Sequence, residues 1–285
     1  MAQLLDLQLG EREFAFLAGL IKQQTGIVLG DNKREMLQAR LAKRVRQLKL
    51  DSFEEYCRLL TSPDGEAELG RTLNAVTTNL TRFFREGHHF DHLSQVALPK
   101  LIKRRTEGRR LRMWSAGCAS GEEAYTMGMV LHSTLSDIDR WDARILATDI
   151  DTDMIARGKA GRYEASQADL VPADLHARYL RRVADQPRQV EVSDAVKRLV
   201  AFKPLNLLGH WPMKGPFDII FCRNVVIYFD RETQNRLFQR FADMLADDGY
   251  LYIGHSESLY GLTNRFKLIG RTIHVKVQSG VAPTS

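Results

Sequence analysis

Cysteine is scarce in this 285-residue chain: Cys57, Cys118 and Cys222 are odd in number and lack metal-type or redox-type spacing. A disulfide framework and a structural zinc site are both disfavoured, and a reduced, cytoplasmic location is expected. No apolar run approaches the roughly 20 residues that a membrane-spanning helix needs. The opening Met1-Ala-Gln-Leu-Leu-Asp6 has neither a basic start nor a following apolar stretch, so no secretory signal is visible. Histidine clusters once, at His88, His89 and His92, without a partner cysteine or an H-E-x-x-H pattern. These read as solvated or capping histidines, and no metal is expected. The dinucleotide fingerprint G-x-G-x-x-G is missing as well. Gly117 and Gly121 stand four apart with no other glycine in their loop, which disfavours a dehydrogenase.

The composition, 44% hydrophobic and 27% charged, is that of a soluble globular protein, and the length suits two modest units. A helical unit comes first. Phe14, Leu17, Leu20 and Ile21 recur at helical spacing, as do Leu37, Leu41, Val45 and Leu48, and a third helix is predicted from Phe53 to Leu60 before the turn Ser62-Pro-Asp-Gly65. Lys33 to Lys49 carries seven basic residues and one acid, Glu35. At 100° per residue Arg40, Lys43 and Arg46 project away from the leucine stripe, with Lys33 and Arg44 on its border. Together with a net charge of +6, this one-signed face points to an acidic partner, although a merely solvated face remains the alternative.

From residue 111 onward strand-like and helix-like runs alternate: strands at Leu111–Ser115, Arg144–Thr148, Leu199–Phe202, Phe217–Cys222 and Tyr250–Gly254, helices at Glu122–Leu135 and Thr233–Leu245. That rhythm predicts a doubly wound α/β domain with a mostly parallel sheet, and Thr272–Val277 as an antiparallel edge strand. A helix over Ala173–Leu180 and a hairpin, Tyr179–Val183 against Gln189–Val192 turning through Ala184–Pro187, break the rhythm as a small β insertion. The domains expected are thus 1–75 and 76–285, with the insertion at about 163–200. The polar tail Ser279–Ser285 is expected to be disordered.

Three clusters carry chemistry. Leu111 to Glu123 is a strand ending in small residues and opening into a helix, and Ala143 to Asp149 is a strand closed by an acid that suits a ribose diol. The layout fits S-adenosylmethionine, which has no pyrophosphate demanding many glycine amides. Tight packing is the competing explanation. Thr77-Thr-Asn79-Leu-Thr81-Arg-Phe-Phe-Arg85 is a polar knot that wants a ligand or a cap. Phe217 to Phe229 is a strand delivering Arg223 and Asn224 to the crevice at its carboxyl end.

These strings, with Gly26-Ile-Val-Leu, Phe-Phe-Arg-Glu86, His88-His-Phe90, Trp114-Ser-Ala, Ser120-Gly-Glu-Glu123, Thr148-Asp-Ile-Asp151, Asn206-Leu-Leu, Gly215-Pro-Phe-Asp218, Phe221 to Asp230 and Gly254-His-Ser-Glu257, resemble the CheR family of chemotaxis receptor methyltransferases. The resemblance implies a helical N-terminal domain, a class I S-adenosylmethionine-dependent methyltransferase domain with an inserted antiparallel β subdomain, and methyl transfer to glutamate side chains of methyl-accepting chemoreceptors. It implies Asn79, Thr81, Arg85, Glu123, Asp149, Asn206, Leu207, Arg223 and Asn224 as cofactor contacts. Arg85 and Tyr228 would be the catalytic, orienting pair, and Arg40, Lys43, Arg44 and Arg46 would dock the acidic receptor helices. A regulator at the basic domain is a further partner, monomer is the default state, and neither nucleic acid nor membrane insertion is expected. Some members tether to a receptor peptide through a glycine-rich hairpin loop. Val183 to Arg188 has no glycine here, so binding independent of that peptide is expected.

Overall fold

Apolar residues at i, i+3 and i+4 spacing give the first elements of the computed structural model, which describes residues 7–277. The expectations for Met1–Asp6 and for Ser279–Ser285 lie outside the described residues. Four helices follow one another: α1 (Glu11–Thr25), α2 (Arg34–Gln47), α3 (Phe53–Thr61) and α4 (Glu66–Val76). Ser52 caps α3, its Oγ accepting from Glu55 N at 3.2 Å. Phe14, Leu17, Ile21, Leu37, Leu41, Val45, Phe53 and Tyr56 bury together as one core. The unit includes Thr78 at its end and also Tyr228–Asp230 from much later in the chain. Val28 N donates to the Tyr228 carbonyl at 2.9 Å, and Lys22 pairs with Asp230 at 3.1 Å.

Two of the basic residues on α2 are committed inside this unit. Arg40 donates from Nη1 to the Val76 and Thr77 carbonyls at 2.7 and 2.8 Å, closing the last turn of α4. Arg44 forks onto Glu68, Nε to Oε1 at 2.9 Å and Nη2 to Oε2 at 2.6 Å. Tyr56 donates to the same carboxylate at 2.9 Å. Burial pushes the Glu68 carboxyl up, but these donors outweigh it and hold it below the ordinary range. Lys43 and Arg46 are exposed. Arg44→Ala removes the forked partner of a carboxylate whose side chain is only 4% exposed, leaving it Tyr56 and, at 3.4 Å, the more exposed Arg71. It is expected to cost about 3 kcal/mol of stability, read as a lower urea midpoint; an unchanged midpoint contradicts the assignment.

The second unit spans Asn79–Ile227 and resumes at Arg231. It opens with a helix in three pieces, α5 (His88–His92), a π-turn at Leu93–Ala97 and α6 (Leu98–Arg104), and then alternates: β1 (Arg110–Ala116), α7 (Glu122–Thr134), β2 (Asp142–Asp149), α8 (Thr152–Ala160) and β3 (Arg162–Glu164). After α9 (Ala173–Tyr179), β4 (Leu180–Val183), β5 (Gln186–Val192) and α10 (Asp194–Lys197), the chain returns through β6 (Val200–Pro204), β7 (Phe217–Cys222), α11 (Arg231–Met244), β8 (Leu245–Ile253), β9 (Phe266–Gly270) and β10 (Ile273–Lys276). Seven strands form one sheet in the order β6-β2-β1-β7-β8-β10-β9. The first five pair in parallel, β10 antiparallel to both β8 and β9. Every residue of β7 is buried, as a strand covered on both faces requires. Among the described residues no helix is long and apolar enough to cross a membrane.

The doubly wound sheet and the separate antiparallel sheet β3-β5-β4 agree with the expected fold class. Three local readings are corrected. Thr272–Val277 does contain an antiparallel strand, but β10 is interior and β9 forms the edge. The hairpin turns on Ala184-Asp185 alone, and Pro187 lies inside β5. Proline is tolerated there because β3 begins pairing only at Gln189, so this end of β5 has β4 as its one neighbour. Finally β8 starts at Leu245, five residues before the predicted Tyr250.

Candidate cofactor site at the carboxyl edge of the sheet

The chain leaves β1 toward β2 and β6 on one side and returns to β7 on the other. This topological switch opens a crevice beyond the carboxyl ends of β1 and β7, where open α/β sheets bind ligands. At the end of β1 the backbone turns through Gly117 (φ +87°), Ala119 (φ +46°) and Gly121 (φ +99°). A Cβ on Gly117 would sit 2.4 Å from Val225 Cγ2, and one on Gly121 would sit 2.9 Å from the Phe202 ring. Only glycine permits both the left-handed turn and these approaches.

Asp149 closes β2 beside that turn. Its Oδ2 accepts from Ala119 N at 2.8 Å and its Oδ1 from Asp151 N at 2.9 Å. Burial pushes its carboxyl up, while these backbone donors oppose it. A carboxylate has about four acceptor sites, more than these backbone donors use, which leaves room for a ribose hydroxyl. Asp151 in turn caps α8, accepting from Asp153 N at 2.9 Å and Met154 N at 3.2 Å, and takes a bond from Asn79 Nδ2 at 2.7 Å. Asn79 is thereby joined to the β2 end. Past β6, Asn206 folds an Asx turn, its Oδ1 accepting from Leu208 N at 2.9 Å.

Arg223, released by β7, lies between two carboxylates. Nη1 reaches Glu123 at 3.2 Å, Nη2 reaches Glu86 at 3.5 Å, and Nη2 also donates to the Arg85 carbonyl. Its side chain is 2% exposed. Ser115 Oγ donates to the far oxygen of Glu123 at 2.7 Å. Burial raises the Glu123 carboxyl against the pull of Arg223. Burial acts the same way on Glu86, but the His255 bond at 2.9 Å and the Arg223 charge outweigh it and bring Glu86 down to about 2. Phe84 (φ +52°), Glu86 (φ +56°) and Asn224 (φ +58°) are left-handed non-glycine residues, a strain that concentrates at functional sites. Arg85 donates from Nη1 to the Leu80 carbonyl at 2.6 Å.

Of the predicted cofactor residues, the structure thus joins Asn79 with Asp149 through Asp151, and Arg85 with Glu123 through Arg223. Thr81 is half-buried in the segment before Phe83, and Leu207 is buried. Tyr228 ends a short 3-10 turn and clusters with the helical unit. Two acids missed from sequence complete the site. Glu86 is described above, and Glu257 accepts from Val225 N at 2.8 Å, Val226 N at 2.9 Å and Gly254 N, fixing the backbone after Asn224. Both stand in strings that carried the resemblance, which was the available signal.

Glu86, His88 and His89 bring ligand-type atoms within 4.8 Å of one another. The Glu86 carboxylate already faces Arg223 and His255. His89 is wholly buried, and burial together with the Arg223 charge lowers its pKa from 6.5 to about 3. The unfolded chain therefore binds more protons than the native one between those values, so stability is complete above about pH 6.5 and falls with falling pH. His89 alone is expected to remove about 2 kcal/mol between about pH 6.5 and pH 5. Urea midpoints across this range should fall more steeply for the parent than for His89→Gln. Equal slopes contradict the assignment.

Residues 12–77 match the all-alpha domain of CheR methyltransferases, and residues 79–275 match their SAM binding domain. The chain is 43% identical to the probable chemotaxis protein methyltransferase of Rhizobium etli, over 92% of this chain and 98% of that one. It is 41% identical to the chemotaxis protein methyltransferase of Escherichia coli, over 94% and 92% respectively. With that of Borreliella burgdorferi it shares 36% identity over 91% of this chain and 93% of the other. The chain belongs to the CheR methyltransferase family and is an S-adenosylmethionine-dependent methyltransferase.

Proposed function

We propose that this methyltransferase modifies glutamate side chains on the cytoplasmic helices of chemoreceptors, forming glutamyl methyl esters in sensory adaptation. The observation that carries the reading is the buried Asp149 carboxylate, pinned by two backbone N–H groups beside the Gly117–Gly121 turn. A carboxylate acceptor held in this way fits the diol of an adenosyl ribose. S-adenosylmethionine supplies an activated methyl group when bound.

In this reading Asn79, Thr81, Glu123, Asp149, Asn206, Leu207, Arg223 and Asn224 hold the donor, with Leu207 offering an apolar face to its base and Asn206 a polar edge. Arg85 presents a forked guanidinium to a carboxylate, either the donor's own or the incoming glutamate's. Tyr228 orients the reacting groups. No general base is required, because a glutamate is already ionised near neutral pH. Alignment in a near-attack geometry is the main contribution and is worth up to about 7–11 kcal/mol.

Lys43 and Arg46, exposed on α2, are the docking cations for the acidic receptor helices, with Arg40 and Arg44 shaping the same face from within. Docking energy is common to ground and transition states. Lys43→Ala with Arg46→Ala is accordingly expected to raise KM for a receptor fragment about tenfold while kcat stays within about twofold. A fixed KM with a collapsed kcat contradicts this role. The two-residue hairpin turn without glycine favours receptor binding independent of a C-terminal peptide tether. A regulator at the basic unit, a monomeric state and a cytoplasmic location complete the proposal.

The deciding experiment incubates the protein with methyl-labelled donor and a receptor cytoplasmic fragment. Label that alkali releases as methanol supports a glutamyl ester. Alkali-stable label, label on a nucleic acid or a small molecule, or no transfer to the fragment contradicts the proposed substrate.

A further inference from the structure

The stretch after β6 is held from outside by a residue that no motif singled out. Arg240, on α11, donates from Nη1 to the Leu207 carbonyl at 2.6 Å and from Nη2 to the Gly209 carbonyl at 2.7 Å. Its Cζ lies 3.8 Å from the centroid of the Trp211 ring. Trp211 donates its indole N–H to the same Leu207 carbonyl at 3.1 Å. That ring is fixed in turn, meeting Trp114 of β1 edge-on at 4.8 Å and Phe241 at 5.5 Å. Within the loop, the Asn206 Oδ1 accepts from Leu208 N and the Asn206 carbonyl accepts from Gly209 N at 3.0 Å. Two carbonyls two residues apart thus receive one planar fork, and one of them receives a second donor.

The geometry points to Arg240 as the positioning residue of the base-binding loop: its fork and its stacking on Trp211 set the backbone of Asn206–Gly209, and through it the selection of adenine. The inference rests on the proposed role of Asn206 and Leu207 at the base. Lysine cannot reproduce the function, since a single ammonium neither spans two carbonyls as a fork nor stacks as a plane. Arg240 touches no reacting atom in this account, so its effect belongs to donor binding and not to the methyl-transfer step.

The test uses the full chain and S-adenosylhomocysteine as probe, with the hypoxanthine analogue S-inosylhomocysteine as comparison. Arg240→Lys is expected to weaken S-adenosylhomocysteine binding about tenfold, the loss of one charge-assisted hydrogen bond. It should also shrink the preference for adenine over hypoxanthine and speed hydrogen exchange at Leu208 and Gly209. KM for the receptor fragment should stay within about twofold. Trp211→Phe, which keeps an aromatic face of smaller area and removes the N–H donor, should give a smaller change in the same direction. Parent-like affinity and exchange in Arg240→Lys overturn the inference while the base-site reading stands. Lost stability with an unchanged adenine preference also overturns it, by reducing Arg240 to scaffold. If the parent protein binds neither probe, both readings fail together.

Discussion

Asp149→Asn is expected to weaken binding of S-adenosylmethionine and S-adenosylhomocysteine by about 100-fold, equivalent to roughly 3 kcal/mol. The substitution is nearly isosteric, so the effect comes from hydrogen-bond polarity and charge. Both carboxylate oxygens accept from the backbone, Oδ2 from Ala119 N and Oδ1 from Asp151 N. An asparagine must turn its NH2 toward one of those N–H groups, whichever way the amide is flipped. One buried N–H then loses its partner, the turn at Ala119 loses an anchor, and one acceptor for the ribose disappears. Donor KM and the dissociation constant of the product should rise together, with a smaller change in kcat. Binding within about threefold of the parent would place the ribose elsewhere.

The second large effect is at Arg223. Arg223→Met leaves Glu86 and Glu123 buried beside each other without the cation between them, and breaking a buried pair in this way costs about 3–5 kcal/mol. The variant is expected to be inactive and markedly less stable. Arg223→Lys separates the two consequences. It restores a positive charge and most of the stability, but an ammonium cannot reach Glu123 and the Arg85 carbonyl with a rigid fork. The segment bearing Arg85 then shifts, and a misplacement near 1 Å lowers kcat by about 100-fold. Parent-like turnover in Arg223→Lys would show that charge alone is needed there.

The core of the parallel sheet was legible because β1, β2 and β7 are largely buried and apolar, with a helical run between β1 and β2. The bounds of β7 were read to the residue, since Phe217–Cys222 is apolar at every position but Asp218. The edge was not legible: β9 buries only Phe266 and exposes Leu268 and Ile269, so it lacks the alternation by which strands are recognised. The position of Asp149 at the end of β2 was readable from the strand-like run before it. Glu86 and Glu257 were not, because their roles lie in contacts made across long stretches of chain. Glu257 caps Val225 and Val226 from about 30 positions away, and Glu86 meets His255 from the other end of the domain. The division of labour on α2 was hidden for the same reason. Helical periodicity places Arg40 off the apolar stripe and Arg44 on its border, but only tertiary structure reveals the Val76 carbonyl and the Glu68 carboxylate as their partners.

The central claim is that the crevice at the ends of β1, β2 and β7 holds the methyl donor through Asp149. Isothermal titration of the parent protein and of Asp149→Asn with S-adenosylhomocysteine tests it most directly. The account predicts a saturable heat at one ligand per chain for the parent and a curve weakened about 100-fold for the variant. A folded parent protein that gives no heat, or two indistinguishable curves, would contradict it.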